Sequence, residues 1–155
     1  MIYVFDSDAL IDLFKHFYLN RFPSLWEKFD LLAKEGKIIS VREVYNEIGG
    51  RGDRLSQWAK KTQNLFQQSS PEELVFVTEI FKVRHFQSLI HEKERLQGKP
   101  VADPFVIARA KIFHGCVITQ ENKKPNAAKI PNVCERFNID CSNLEGFMER
   151  EGWTF

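Results

Sequence analysis

Two carboxylates follow the first apolar segment of the chain, one residue apart, in the stretch MIYVFDSDAL. Asp6 and Asp8 come directly after residues 2–5, which are rich in β-forming side chains and predict a short buried strand. An acid in that position is partly removed from water and needs a partner. Because one polar residue is enough to solvate the end of a strand, the pair suggests a bound cation.

Further acids are predicted to lie near the same edge of the structure. Glu121 follows the apolar segment 116–119, Asp103 opens the apolar segment that precedes it, and Glu47 lies near the end of a predicted helix. Sites in open parallel sheets form at the carboxyl ends of the strands. We therefore expect four acids to come together, namely Asp6, Glu47, Asp103 and Glu121.

Converging carboxylates favour a hard-cation site, because several of them cannot stay ionised in a half-buried cleft without compensation. Mg²⁺ or Mn²⁺ would provide it, since both prefer oxygen ligands. The histidines and cysteines have no zinc-binding spacing. Simpler interpretations remain for single residues: Asp8 and Asp103 as helix caps, and Glu47 and Glu121 as solvated acids.

The pattern of elements predicts an α/β fold. Short apolar strands are expected at 2–5, 37–39, 116–119 and 139–141, with helices between them. One helix is predicted from Asp53 through Phe66, and one or two from Ser70 to about Leu96, followed by a break at 97–100. This alternation indicates one domain, 1–155, with a short central parallel sheet of about four strands flanked by helices.

Composition narrows the classes of protein that fit. No apolar run approaches the ~20 residues of a membrane helix, and the N-terminus lacks a signal-peptide pattern, so we expect a cytoplasmic protein. The cysteines Cys116, Cys134 and Cys141 form no CxxC pair and are expected to be buried and reduced. Net charge is +1, yet residues 109–129 carry five bases and one acid, as suits a site that handles a polyanion.

These residues also resemble the motifs of PIN-domain nucleases. VFDSDALIDL resembles the opening motif, REVYNEI the second, ADPFVIARA the third and VITQEN the fourth. The four occur in the family's order and cover essentially the whole chain. The ending from Lys129 to Trp153 resembles a small bacterial-type branch, similar to the toxin ribonucleases of toxin–antitoxin systems.

The resemblance implies a three-layer PIN-like fold and a metal-dependent endoribonuclease that hydrolyses RNA with a metal-activated water. Asp6, Glu47, Asp103 and Glu121 would surround one or two Mg²⁺ or Mn²⁺ ions. Asp8, where the family often has Asn, would be a further ligand or an acceptor behind the ligands. Ser7 and Thr119 would lie behind the acids and orient them. The candidate RNA-binding residues are Arg51, Arg54, Lys123, Lys124 and Lys129. A cognate antitoxin protein and a homodimer are the implied protein partners, with no membrane.

Two other hypotheses stay open from the sequence. Haloacid-dehalogenase phosphatases also place Asp-x-Asp after a strand, with the first acid as nucleophile, and Asp6 and Asp8 match that spacing. That family usually continues with Gly-Thr, whereas here Ala9 and Leu10 follow. The other hypothesis is a catalytically degenerate PIN module that binds RNA or protein.

Overall fold

The computed structural model describes residues 1–88 and 101–155, in which strands and helices alternate. The strands are β1 (Tyr3–Phe5), β2 (Ile38–Val41), β3 (Phe66–Gln67), β4 (Cys116–Ile118) and β5 (Asp140–Ser142). The α-helices are α1 (Ser7–His16), α2 (Pro23–Lys34), α3 (Arg42–Ile48), α4 (Arg54–Lys61), α5 (Pro71–Lys82), α6 (Asp103–Phe113), α7 (Ile130–Arg136) and α8 (Leu144–Arg150). Short 3₁₀ turns cover Gln63–Leu65 and Arg84–Gln87.

The strands form one parallel sheet in the order β3-β2-β1-β4-β5. The chain builds outward from β1 through β2 to β3, then returns to place β4 on the other side of β1. In register, Tyr3 lies between Ile38 and Cys116. The direction of winding therefore reverses between β1 and β4, and such a switch point opens a crevice at the carboxyl ends of the strands.

The predicted α/β class is confirmed, with five strands among residues 1–88 and 101–155 instead of about four. The added strand is β3, which falls where a helix from Asp53 through Phe66 was predicted, and that part of the prediction is wrong. The helix ends at Lys61, and Phe66 instead pairs with Ser40 of β2. The ring of Phe66 is buried, with its centroid 6.0 Å from that of Trp58, so packing overrides the helical pattern here. The predictions for residues 89–96 and 97–100 lie outside the described residues.

Aromatic rings fill much of the core beneath the sheet. Tyr3 and Phe5 point to the same face of β1, because side chains alternate along a strand. Phe5 meets Phe29 of α2 and Phe147 of α8 edge to face, at centroid distances of 5.8 and 5.2 Å. Tyr3 meets Phe147 in the same way at 4.8 Å. These contacts hold β1, and so the residues that follow it, in a fixed position.

A buried ion pair joins α5 to α6. Arg109 and Glu73 expose only 3% and 1% of their side chains. The guanidinium donates from Nε to Glu73 Oε2 at 3.1 Å and from Nη2 to Oε1 at 3.0 Å. It also donates to the backbone carbonyls of Ser40 and Gln68. This pair fixes the helix that begins with Asp103. None of the described helices is long and apolar enough to cross a membrane.

Candidate functional site

The first acid of the site is fixed by the end of β1. The amide of Asp6 donates to the carbonyl of Ile118 at 2.9 Å, which continues the β1–β4 pairing by one residue. Its carboxylate caps α1 by accepting from the amide of Ser7 at 2.8 Å. Asp6 is 3% exposed. The residue therefore ends a strand, starts a helix and lies buried at the switch point.

Three acids form what we call the acidic cluster: Asp6, Asp8 and Glu121. Each offers a carboxylate oxygen, and these oxygens lie within 4.8 Å of one another. Asp8 lies in the first turn of α1, two positions after the buried cap Asp6, and Glu121 follows β4. The suggestion that Asp8 caps the helix is wrong, because Asp6 is the cap. Carboxylate oxygens within 4.8 Å of one another could serve together as ligands of one hard cation.

The hydroxyl of Thr119 lies at the centre of the acidic cluster. Its Oγ is 3.1 Å from Asp6 Oδ2 and 3.2 Å from Asp8 Oδ1, and it accepts from the amide of Glu121 at 3.2 Å. A hydroxyl has one proton and can donate to one of these carboxylates at a time. A second donor to Asp8 is the amide of Gln120, at 3.1 Å.

Electrostatic repulsion within the site is strong. Burial raises the pKa of Asp6 well above its ordinary value, and the negative charge of Asp103 adds the next largest effect. The charges of Asp8 and Glu121 raise the pKa of Asp6 further. The donors that the described residues supply to Asp6 and Asp8 are amides and one hydroxyl, all of them uncharged. A proton or a cation must therefore compensate the charge.

Asp103 lies close enough to act on this charge. It is buried at the first position of α6, and the cap position belongs to Ala102, so the interpretation of Asp103 as an N-cap is wrong. Pro104 follows at a position where its missing amide costs no helical hydrogen bond. Asp103 thus places a buried carboxylate near Asp6 without a capping role.

Glu47 occupies a different place from the other predicted ligands. It is half-buried on α3, and it is not a member of the acidic cluster. Its Oε2 accepts from the hydroxyl of Ser7 at 2.5 Å, and its Oε1 accepts from the amide of Ala102 at 3.1 Å. Glu47 therefore joins α3 to the starts of α1 and α6, the two helices that carry Asp6 and Asp103.

The basic residues predicted to bind RNA differ in how far other groups of the protein already engage their charged ends. The guanidinium of Arg54 donates to the carbonyls of Phe14 and Phe17 and lies 4.5 Å from the ring centroid of Trp26. It is thus used by the fold. Arg51 is exposed and pairs with Asp53 at 2.9 Å.

The three predicted lysines lie in the segment that follows Glu121. Lys123 pairs with Glu135, Lys124 is exposed, and Lys129 is half-buried just before α7. Of the basic stretch 109–129, Arg109 is buried in its own ion pair and contributes no surface charge. The cationic surface near the acidic cluster is therefore smaller than the residue count suggests.

Gln120 is a residue of the site that the sequence did not indicate. Its side chain donates to Asp12 at 3.2 Å and accepts from the amide of Leu144 at 3.0 Å, while its own amide donates to Asp8. It joins the end of β4 to α1 and α8. A glutamine in a polar loop gives no signal of this kind, because its partners are more than twenty positions away.

Comparisons with known proteins give a family and a structural likeness. The family model described as a domain of unknown function (DUF4411) matches residues 3–155. A comparison with curated proteins found no match. Among solved structures, the chain is similar to one from the crystal structure of VapBC2 from Rickettsia felis bound to a DNA fragment from their promoter. The identity is 16%, the alignment covers 92% of this chain and 98% of that one, and the TM-score is 0.48.

Proposed function

The chain belongs to the DUF4411 family, and we propose that it is a Mg²⁺- or Mn²⁺-dependent endoribonuclease of the PIN type. The observation that carries the proposal is the acidic cluster at the switch point, with Asp103 beside it. Asp103 and Glu121 approach Asp6 and Asp8 although they lie about a hundred positions further along the chain. Structural stability gives no reason to bury mutually repelling carboxylates, whereas a cation does.

The residues fit a hard cation by their chemistry. Asp6, Asp8 and Glu121 would hold it through carboxylate oxygens, and Asp103 would add a further charge from α6. Thr119 orients Asp6 and Asp8 through its hydroxyl, and the amide of Ile130 holds Glu121 Oε2 at 2.9 Å. When bound, the ion lowers the pKa of a coordinated water and offsets the charge that develops on a phosphodiester.

Glu47 enters the proposal as a positioning residue. Both of its oxygens already accept from protein donors, Ser7 and Ala102. Its contribution is to hold the starts of α1 and α6 at a fixed separation, so that Asp6 and Asp103 face the same point. This differs from the direct ligation that the sequence suggested.

Binding of RNA would depend on lysine and arginine side chains around the crevice. Lys124 and Arg51 are exposed, and Lys123 and Lys129 belong to the loop that follows Glu121. Contacts from such side chains to phosphates are independent of base sequence and weaken as salt concentration rises. Arg54 is left out of this set because its guanidinium is engaged inside the fold.

We extend the proposal to a toxin role with a cognate antitoxin, on the basis of the motif resemblance to PIN toxins. Expression of the chain alone should arrest bacterial growth, and Asp103→Asn should relieve the arrest. A homodimer is part of the same proposal, and sedimentation of the purified chain measures it. If bacteria that express the whole chain as an active nuclease grow normally, the toxin role is contradicted. The proposed enzymatic activity would be unaffected by that result.

The enzymatic proposal is tested by metal binding and RNA cleavage measured on the same protein. We expect calorimetric binding of Mn²⁺ and Mn²⁺-dependent cleavage of a structured RNA, both lost in Asp6→Asn and Asp103→Asn. Asp30→Asn is the matched control, because Asp30 is an exposed acid on α2. If the wild-type protein neither binds Mn²⁺ nor cleaves RNA, the proposal is refuted. RNA binding without cleavage would favour a degenerate module. Covalent trapping of Asp6 by a phosphoryl analogue would favour a phosphatase.

A further inference from the structure

A cavity opens beside the acidic cluster, at the carboxyl ends of β4 and β5. It has a volume of about 390 Å³, within the range of small-molecule sites. Thr119 and Glu121 line it, so one of its walls is shared with the acidic cluster. Residues of α7 between 131 and 135 form a second wall, and residues 139–143, which include β5, form a third, with Asn122 and Lys123 at the loop side. A chain that crosses the acidic cluster can therefore place its next group in this cavity.

Hydrogen-bonding groups of uncharged side chains line much of the cavity. Asn122, Ser142 and Asn143 supply amide and hydroxyl groups, and Pro131 and Ile139 supply apolar surface. Asn143 uses its Oδ1 to cap α8 by accepting from the amide of Gly146. Amide and hydroxyl groups can hydrogen-bond the edges of an unpaired base, and Pro131 and Ile139 offer its face an apolar contact.

The charges of the cavity decide which part of a nucleotide it accepts. Glu135 and Asp140 line it together with Lys123 and Glu121, so its lining has three acidic side chains and one basic side chain. Glu135 is paired with Lys123, and Asp140 is held by both terminal nitrogens of Arg150 at 2.6 and 2.9 Å. An anionic phosphate gains little in such a lining. A neutral group that is rich in donors and acceptors suits it better.

We propose that this cavity binds one nucleoside of a single-stranded RNA, the base and ribose next to the phosphodiester that lies at the acidic cluster. Its role in cleavage rests on the proposed function, whereas its binding of a nucleoside does not. The shared wall of Thr119 and Glu121 links the two sites. The cavity would then select the nucleotide beside the cleaved bond.

The binding is tested with free nucleosides, which have no phosphate and need no metal. Cytidine, uridine, adenosine and guanosine are titrated separately into ¹⁵N-labelled wild-type protein without divalent cations. We expect at least one to shift the amide resonances of Asn122, Cys141 and Asn143 in a saturable manner. If none shifts these amides at millimolar concentration, the inference is wrong.

A variant that fills the cavity provides the second measurement. Asn122→Trp places an indole at the exposed rim and should weaken nucleoside binding by about tenfold or more. Asn64→Trp is the matched control, because Asn64 is an exposed asparagine that does not line the cavity. Equal binding by wild type and Asn122→Trp would place the nucleoside elsewhere and overturn the inference. Mn²⁺ affinity should be the same in both variants, which shows that the acidic cluster is intact.

Cleavage assays separate this inference from the proposed function. If the nuclease is active, Asn122→Trp should raise KM about tenfold with a smaller change in kcat, and should flatten the preference for the base beside the cleaved bond. Unchanged KM and preference would refute the selecting role while leaving the nuclease intact. If no cleavage occurs at all, the proposed function fails, and the nucleoside titrations still decide whether the cavity binds.

Discussion

The buried pair of Arg109 and Glu73 gives the sharpest prediction about stability. We consider Arg109→Met, which keeps most of the side-chain volume and removes the charge. Among the described residues, the change leaves Glu73, 1% exposed, with the hydroxyl of Ser70 as its remaining side-chain donor, at 3.2 Å. It also removes the donors to the carbonyls of Ser40 and Gln68.

The magnitude follows from what is left uncompensated. Removal of one partner from a buried, hydrogen-bonded pair costs about 3–5 kcal/mol, because the other charge stays buried. Proteins of this size unfold with about 5–15 kcal/mol, so the variant should lose about a fifth of its stability or more. At about 2–4 °C per kcal/mol, Tm should fall by roughly 6–20 °C. The double variant Arg109→Met/Glu73→Met should lose less than the two single variants added together.

Urea unfolding followed by tryptophan fluorescence measures these differences, since Trp26 and Trp153 are buried. Arg150→Met is the matched control. Arg150 also makes two hydrogen bonds to a carboxylate, that of Asp140, but the side chains are 35% and 43% exposed. Solvent screens such a pair, and its loss should cost no more than about 1 kcal/mol.

Two results would refute this reasoning. A loss of under about 1 kcal/mol in Arg109→Met would mean that Glu73 is readily solvated or protonated when its partner is removed. Strict additivity in the double variant would mean that the two side chains act independently, against their distances of 3.0 and 3.1 Å.

Three further predictions concern single side chains. Because burial raises the pKa of Asp6 in the folded state, its carboxyl should contribute most to the stability of the metal-free protein below the ordinary pKa of an aspartate, and this contribution should be lost as pH rises through the raised pKa. Asp6→Asn should remove this part of the pH dependence in urea titrations at several pH values. Iodoacetamide should label Cys141 before Cys116, and mass spectrometry measures the order. A hydrogen bond from Cys134 lowers the pKa of Cys141, whereas burial raises the pKa of Cys116 to about 12. Arg54→Ala should lower the free energy of unfolding by about 1–3 kcal/mol in thermal melts and leave RNA affinity nearly unchanged. Lys124→Ala should leave stability nearly unchanged and lower RNA affinity.

Local sequence signals determined much of the fold. Four of the strands follow from short apolar segments, and Ser70 and Pro71 begin α5 as their types predict, with Ser70 Oγ accepting from the amide of Glu73. The apolar segment after Asp103 forms the predicted buried helix. These features depend on neighbours a few positions away, so they can be read from the chain alone.

Features that depend on distant partners were decided by the tertiary structure. Ser40 has the type of a helix cap, with Glu43 three residues later, yet it lies in β2 and its hydroxyl donates to the carbonyl of Phe5 at 2.7 Å. Phe66 leaves the predicted helix to become a strand residue because its ring packs in the core. In both cases a contact across the sheet outweighs a local preference.

The acids of the site show the same division. Their types and their positions after strands indicated a cation-binding edge, since carboxyl ends of parallel strands meet there. Which acids lie together is set by the register of β1 against β4, which brings Glu121 to Asp6 and Asp8, and by the buried start of α6, which brings Asp103 near. Glu47 instead accepts from Ser7 and Ala102. Spacing along the chain fixes the chemistry available, but only packing fixes distances between residues that are far apart in sequence.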